Sequence, residues 1–122
     1  MMLLTKANRD ALPALGTTED VPMDKKVAVV KFFQPWGSWT WWAVEGSQEG
    51  DDFTFFGLVE GFEREWGYFS LNELQSVKGP FGLGIERDLH WKPGPVPPER
   101  GQAAEVQGFG GLDLTIVEAK DL

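Results

Sequence analysis

The sequence predicts an α+β domain: an antiparallel, meander-like sheet of four to six strands with two short helices, near residues 5–12 and 70–77. Several short runs alternate apolar with polar residues and are separated by turn-forming Gly, Pro, Ser and Asp, which is typical of hairpin-connected strands. Two helix-start signals, at Thr5 and Ser70, are each followed within ten residues by a proline. A chain of 122 residues fits one domain with a single core.

The first helix and the first strand are predicted from local signals. Thr5 is a candidate helix N-cap, and Pro13 ends the helix because it lacks an amide donor and restricts Leu12. Residues 25–33 are then rich in β-branched and apolar side chains, as in a strand. Alternation along this strand places two sets of side chains on opposite faces: Val27, Val29 and Lys31 on one, Ala28, Val30 and Phe32 on the other.

Three further strands are predicted at 39–45, 53–59 and 66–69, with a loop at 46–51. Gly57 lies inside one of these strands and indicates a bulge or a close approach of two backbones. Ser70 and Glu73 have the spacing of a capping box, which begins the second helix, and Gly79-Pro80 ends it. A last strand is predicted within 85–91.

Domain boundaries follow from a change in composition after residue 92. Residues 1–92 form the predicted α+β domain. Residues 93–111 contain four prolines and five glycines, as in a linker. Residues 112–122 are a C-terminal strand or tail, in which apolar residues alternate with polar ones. Such a strand would close the sheet edge or pair with another chain by strand addition.

Composition and charge exclude several classes of protein. The chain has no cysteine, which excludes disulfides and cysteine-based metal or catalytic sites, and we expect no cofactor. The net charge is −8 and the basic residues are scattered, so direct binding to a nucleic-acid backbone is not expected. No apolar run is long enough for a membrane helix, and residues 1–4 are too short for a signal-peptide core. We therefore expect a cytoplasmic protein.

Acidic residues are concentrated in one segment, residues 45–65, which has seven acidic residues and one basic residue. A solvated surface is the ordinary interpretation of such a run. The alternative is a patch that attracts a basic protein partner and affects association rate and partner choice. The candidate partner-binding residues are Glu45, Glu49, Asp51 and Asp52, together with Trp36 and Trp39.

Four of the six tryptophans lie between residues 36 and 42. Alternation places Trp39 and Trp41 on one face of their strand and Trp42 on the other. Large rings left in water are either an aggregation hazard or a binding site, so most of these rings are expected in the core. Trp36, in a Pro-Gly turn, and Trp39 are the candidates for a platform that stacks a sugar or a nucleobase.

The densest polar group is Glu86, Arg87, Asp88 and His90. On a strand, Glu86, Asp88 and His90 would share one face and could bind a metal or act as acid and base. His90 is the only histidine, and the sequence indicates no partner carboxylate on another element. An ion pair with Arg87 and a hydrogen-bonded histidine are the simpler interpretation. We assign no catalytic residue and no metal ligand.

Several short motifs follow one another in a distinctive order: Leu3-Leu4-Thr5-Lys6, Leu12-Pro13-Ala14-Leu15, Lys31-Phe32-Phe33-Gln34-Pro35-Trp36, Trp39-Thr40-Trp41, Thr54-Phe55-Phe56-Gly57-Leu58-Val59, Gly67-Tyr68-Phe69-Ser70-Leu71-Asn72-Glu73-Leu74, Gly82-Leu83 and Ile85-Glu86-Arg87-Asp88-Leu89. Over residues 3–92 the chain resembles domain-of-unknown-function family 2958, small bacterial proteins associated with plasmids and other mobile elements. The resemblance implies no established reaction and no catalytic residues. It implies an accessory role for a mobile genetic element, such as countering host defence by binding a host protein.

Three hypotheses follow for the function. The first is a non-enzymatic protein that binds a basic partner through the acidic segment and the nearby aromatic residues. The second is a small-ligand module built on Trp36 and Trp39. The third is a metal-assisted hydrolase built on Glu86, Asp88 and His90.

Overall fold

The structure, a computed structural model, describes residues 1–98. Its elements in chain order are α1 (Lys6–Ala11), β1 (Val27–Ala28), β2 (Val30–Phe33), β3 (Thr40–Glu49), β4 (Asp52–Glu60), β5 (Arg64–Ser70), α2 (Leu71–Ser76), β6 (Glu86–Arg87) and β7 (Gly94–Pro95), with short 3-10 turns at Met23–Lys25 and Pro80–Gly82. Strands β5-β4-β3-β2-β6 form an antiparallel five-stranded sheet, and β1 pairs with β7 in a separate ladder. The predicted α+β class is confirmed.

Both helices begin where the sequence predicts, and each has a capping box. The amide of Asn8 donates to Thr5 Oγ1 at 3.1 Å, and the amide of Thr5 donates to Asn8 Oδ1 at 2.9 Å. At α2, the Glu73 amide donates to Ser70 Oγ at 3.2 Å and the Ser70 amide donates to Glu73 Oε1 at 2.9 Å. These reciprocal bonds satisfy amides that the first helical turn leaves free, which stabilises two helices of only six residues.

The β3–β4 hairpin is longer than the sequence predicts. The loop predicted at 46–51 is wrong, because β3 runs to Glu49, which pairs with Asp52 and leaves only Gly50 and Asp51 as the turn. Gly50 has a φ of 61°, the left-handed conformation that two-residue hairpin turns require. Gly46 signals a turn in the sequence. In the fold its lack of a side chain instead makes room for the ring of Phe53.

The first predicted strand, 25–33, is divided in the structure. Lys25 ends a 3-10 turn, β1 pairs with β7, and β2 pairs with β3. The division occurs because the chain changes partners at Val29, whose amide donates to the Ala43 carbonyl at 2.8 Å. Strand β7 falls within the predicted linker at 93–111. Residues 99–111 of that segment and the strand predicted at 112–122 lie outside the described residues.

The sheet buries apolar side chains on both faces. The first face packs against α2 and the N-terminal segment. The buried cluster between them contains Leu3, Leu4, Leu12, Val30, Phe32, Trp41, Ala43, Phe53, Phe55, Phe69, Leu71, Leu74 and Ile85. The second face contains Ala28, Trp42, Val44 and Leu58, against which the partly buried Trp66, Trp91 and Val96 pack. Trp41 and Trp42 therefore lie on opposite faces, as the alternation predicts.

A bulge interrupts β3 opposite Gly57. The pairing register of β3 with β4 shifts between Ala43 and Glu45. A Cβ at Gly57 would overlap the carbonyl oxygen of Trp42 and lie 2.9 Å from its carbonyl carbon. The close backbone approach that Gly57 predicts is confirmed.

Candidate functional site

One end of the sheet gathers aromatic side chains from three connections. The β2–β3 turn carries Trp36 and Trp39, the β4–β5 turn carries Phe62, and the loop before β6 carries Phe81. These connections meet because Phe33, at the end of β2, pairs with both Thr40 and Glu86, and Thr40 pairs with Glu60. We call this region the aromatic end (Trp36, Trp39, Phe62, Phe81).

Two of these rings form an open groove. Trp39 and Phe62 meet edge to face, with ring centroids 5.4 Å apart and planes at 80°. Val59, Glu63 and Glu65 complete the lining, and the groove has a volume of about 320 Å³. Phe62 is 94% exposed, so its ring surface is open to solvent. We call this feature the Trp39–Phe62 groove (Trp39, Val59, Phe62, Glu63, Glu65).

The groove is negatively charged, and no cationic side chain among residues 1–98 forms an ion pair with its carboxylates. Glu63 and Glu65 are exposed, and neither belongs to an ion pair among residues 1–98. Arg64 lies between them in sequence but is engaged elsewhere. Its Nη1 is 3.3 Å from Glu60 Oε2, and its Nη2 donates to the Pro97 carbonyl at 2.6 Å. The carboxylates that border the groove are therefore available to a cation from outside the described chain.

Trp36 is less accessible than a turn position suggests. A Cβ at Gly79 would lie 2.5 Å from the Cδ2 and Cε2 atoms of the Trp36 indole, so the ring rests on the Gly79 backbone. Trp36 also packs against the core of the first face. It can offer a ligand only the part of the ring that points away from Gly79.

Phe81 is fully exposed and has a φ of 58°. A bulky residue rarely adopts this left-handed conformation, which costs on the order of 1–3 kcal/mol. The loop around it is closed by hydrogen bonds from the Gly79 amide to the Leu83 carbonyl at 2.8 Å and from the Leu83 amide to the Pro80 carbonyl at 3.0 Å. Local backbone bonding thus holds a strained aromatic residue in solvent.

The fold divides the acidic segment 45–65 between the two ends of the sheet. Glu49, Asp51 and Asp52 lie at the β3–β4 turn, whereas Trp39 immediately precedes the other end of β3. A ten-residue strand spans about 30 Å at roughly 3.3 Å per residue. The structure therefore does not bring these three acids together with Trp36 and Trp39. Glu63 and Glu65 are the acids of the segment that do lie beside Trp39.

Two of the turn acids are engaged inside the molecule. Glu49 Oε1 accepts a hydrogen bond from Thr54 Oγ1 at 2.7 Å. Asp52 Oδ1 accepts from the amides of Phe53 at 2.7 Å and Asn72 at 3.0 Å. The Asn72 amide is the main cause that lowers the pKa of Asp52 below its usual value. Asp52 thereby connects the hairpin to α2, whereas the Glu49 contact stays within the hairpin.

Glu45 is buried, with 3% of its surface exposed. Its carboxylate accepts hydrogen bonds from the Gly16 amide at 2.7 Å, from the Thr18 amide at 2.8 Å and from the Thr18 hydroxyl. The buried Lys26 donates to the Thr18 carbonyl and, at 2.9 Å, to the Thr18 hydroxyl. Burial favours a raised pKa for Glu45, but these hydrogen bonds and the Lys26 charge outweigh it and lower the pKa. Glu45 organises the 13–25 loop and does not reach the surface.

The polar set near residue 88 forms a turn rather than one strand face. Strand β6 ends at Arg87, and the Trp91 amide donates to the Asp88 carbonyl at 3.2 Å, so the predicted alternation of Glu86, Asp88 and His90 is wrong beyond Arg87. Asp88 accepts from the His90 amide at 2.9 Å and pairs with Lys31 at 3.2 Å. Burial opposes the charged form of Asp88, yet these contacts lower its pKa.

Arg87 holds the N-terminal segment instead of pairing with its neighbours. Its Nη1 donates to the carbonyl of Met2 and, at 3.0 Å, to the carbonyl of Leu3. Glu86 pairs with Phe33 in the β2–β6 ladder. Among residues 1–98, no group of three or more His, Asp or Glu side chains is placed to hold a metal ion.

Over residues 3–97 the chain matches the family described as protein of unknown function (DUF2958). The protein belongs to this family. The DUF2958 match includes every helix and strand described above and ends at Pro97, whose carbonyl accepts from Arg64. No curated protein and no solved structure matches the chain. In the described part of this DUF2958 protein, no helix is both long and apolar enough to cross a membrane.

Trp39 was identified from the sequence, and Glu63 and Glu65 belonged to the predicted acidic segment without being chosen as partner-binding residues. Phe62 and Phe81 were missed. The available signal was an aromatic residue next to a turn glycine, as in Gly61-Phe62 and Phe81-Gly82. A phenylalanine at the tip of a turn has few neighbours to bury it, so it is a better candidate for exposure than one within a strand.

Proposed function

We propose that this protein is a non-enzymatic accessory protein that binds a basic protein partner through the Trp39–Phe62 groove. The observation that carries the proposal is the exposure of Phe62, 94%, beside two carboxylates that have no ion-pair partner among residues 1–98. Aromatic rings that together line an open groove are candidates for a contact site, and unpaired charges at the rim favour partners of opposite charge. Glu63 and Glu65 take the role that the sequence suggested for the acids of the β3–β4 turn.

The resemblance to proteins of mobile genetic elements supplies a setting for this proposal. In that setting the partner is a host protein, and its capture would counter a host defence. A binding protein needs no catalytic set, which is consistent with the internal bonds that occupy Asp88 and Arg87.

Two charge-reversal variants with the same change in net charge test the proposal. The groove variant is Glu63→Lys with Glu65→Lys, and the matched control is Glu49→Lys with Asp51→Lys at the distant turn. Each protein is immobilised and exposed to host lysate, captured proteins are quantified by mass spectrometry, and the affinity of each captured protein is then measured by calorimetry after purification. We expect a basic protein that binds the wild type and the control and is lost from the groove variant.

The converse result, loss from the control and retention by the groove variant, would assign binding to the turn acids and overturn the groove. Capture of no basic protein with measurable affinity would overturn the proposal itself. Circular dichroism of both variants checks that each remains folded.

Binding of a small planar ligand is a second candidate, favoured by an aromatic row on the second face. Phe56 and Trp66 stack with centroids 6.0 Å apart, and Tyr68, 5.2 Å from Phe56, is 70% exposed. Beside Trp66 lies an open groove of about 490 Å³ that also contacts Arg64. Intrinsic fluorescence titrated with sugars and nucleosides should respond if this row binds such ligands, and an unchanged signal in both panels would exclude it.

A further inference from the structure

We infer that the group recognised in the Trp39–Phe62 groove is the guanidinium of an arginine side chain. This inference rests on the proposed function and specifies its chemistry, because arginine and lysine are both basic but differ in shape and hydration. Three properties of the groove bear on the choice: its size, its aromatic surface and its two carboxylates.

The size of the groove fits one side chain. Its volume of about 320 Å³ is at the lower limit of the roughly 300–1,000 Å³ that small-molecule pockets occupy. Val59, partly buried in the sheet, provides an apolar surface. A side chain with an apolar stem and a charged tip can place its methylene groups on this surface and keep the tip near the rim.

The aromatic surface favours a planar cation. The Phe62 ring is 94% exposed, which leaves it open to a group from another molecule, while Trp39 is fixed by Gly61 and by Trp41, whose ring centroid is 5.9 Å away. A guanidinium stacks on such a ring through both cation–π attraction and planar contact. An ammonium is a compact and strongly hydrated charge that loses more hydration in the same position.

The two carboxylates complete the match. Glu63 and Glu65 line the same groove as Phe62, and Arg64 is already bound to Glu60 and to the Pro97 carbonyl. A guanidinium has five donors in one plane, so it can stack on a ring and donate to a carboxylate at its edge. A lysine tip cannot combine a planar stack with a two-point carboxylate contact.

Nuclear magnetic resonance titrations with three small probes test the inference on the full chain. The probes are N-acetyl-arginine methylamide, its lysine counterpart and its citrulline counterpart, which has nearly the shape of arginine without the charge. The signal is the indole N–H of Trp39, assigned from its loss in Trp39→Phe. We expect saturable shifts with arginine, a Kd about two- to fivefold weaker for lysine, and no saturation with citrulline.

Neutral variants locate the contact. Glu63→Gln with Glu65→Gln should weaken arginine binding at least as much as the change from arginine to lysine does. Glu49→Gln with Asp51→Asn removes the same charge at the far turn and should leave the Kd unchanged. Equal affinity for arginine and lysine would overturn the guanidinium inference but leave a basic partner in place. Equal affinity for citrulline, or no shift at Trp39 with any probe, would also overturn the inference, while the capture experiment separately decides the proposed function.

Discussion

The indole of Trp39 lies on the bare backbone of Gly61, so that a Cβ at residue 61 would be 2.5 Å from the ring atoms Cη2 and Cζ3. Real Cβ atoms do not approach other heavy atoms that closely, so any side chain at residue 61 must displace the ring. The aromatic wall of the groove therefore depends on a glycine in the adjacent turn.

Gly61→Ala should move Trp39 away from Phe62 and lower the free energy of unfolding by about 1–3 kcal/mol, because the added methyl overpacks the turn. Near-ultraviolet circular dichroism and urea denaturation measure the two effects. Gly67→Ala is the matched control, since a Cβ there meets nothing within 4 Å. An unchanged aromatic signal in Gly61→Ala would contradict the contact.

Gly57 and Gly67 are direct partners in the β4–β5 ladder, but they differ sharply in the space around them. Gly57→Ala should lower the free energy of unfolding by about 3 kcal/mol or more, because the obstacle is the Trp42 backbone and cannot rotate away. Gly67→Ala should change it by less than about 1 kcal/mol. Equal denaturation midpoints for the two variants would disprove the close approach at the bulge.

Glu45→Gln should lower the free energy of unfolding at pH 7 by about 2–3 kcal/mol, because charge-assisted hydrogen bonds to Gly16 and Thr18 are weakened while Lys26 stays buried. Thermal or urea denaturation measures this loss. Glu49→Gln, at the exposed turn, removes the same charge and should have a much smaller effect.

The pH dependence of stability provides a second measurement on Glu45. Its pKa in the folded protein is below the usual value, so its contribution is fully present above the unfolded pKa of about 4.3 and is lost as pH falls through the folded pKa. The wild type should therefore lose stability below about pH 4.5 more steeply than Glu45→Gln. Parallel curves for the two proteins would show that the hydrogen bonds do not favour the carboxylate.

Arg87→Ala should loosen the N-terminal segment, because Arg87 donates to the carbonyls of Met2 and Leu3 next to the buried Leu4. We expect faster amide hydrogen exchange in peptides that begin at residue 1 and a loss of about 1–2 kcal/mol in the free energy of unfolding. Arg9→Ala is the control, because it removes an equal charge from a side chain that is bonded to Gln48. It should not raise the exchange rate of those peptides as Arg87→Ala does. Exchange that is unchanged by Arg87→Ala would show that the guanidinium is not what holds the segment.

The features that the sequence predicted correctly depend on neighbours close in the chain. The capping box of Ser70 and Glu73 needs residues three apart, and the opposite orientation of Trp41 and Trp42 needs only strand alternation. Gly57 signals a close approach because a glycine within a strand of large residues often marks a bulge or a place where a second backbone comes near.

Strand alternation alone does not predict which face of the sheet Glu45 lies on. Simple alternation would place Glu45 with Trp41 and Ala43, but the bulge shifts the register so that Glu45 pairs with Phe56. Phe56 stacks on Trp66, which belongs to the second face, and the Lys26 ammonium lies 5.9 Å from the Phe56 ring. The position of a bulge depends on how two strands fit together, so strand alternation did not predict that Glu45 would leave the face of Trp41 and Ala43.

The Trp39–Phe62 groove could not be predicted from the sequence, for a related reason. Its two rings are far apart along the chain and meet only because Thr40 pairs with Glu60. From the sequence, Trp39 was instead grouped with Glu49, Asp51 and Asp52, which lie at the far end of the β3–β4 hairpin.

The last described residues also determine where the chain can be shortened. Trp91 donates its indole N–H to the Ala28 carbonyl at 2.9 Å, β7 pairs with β1, and Val96 packs against the second face. A fragment ending at residue 92 keeps Trp91 but lacks β7 and Val96, so it loses the ladder with β1 and part of the cover of the second face, and it should be more sensitive to proteases. Tags and fluorescent reporters are therefore better fused beyond residue 98 than at residue 92.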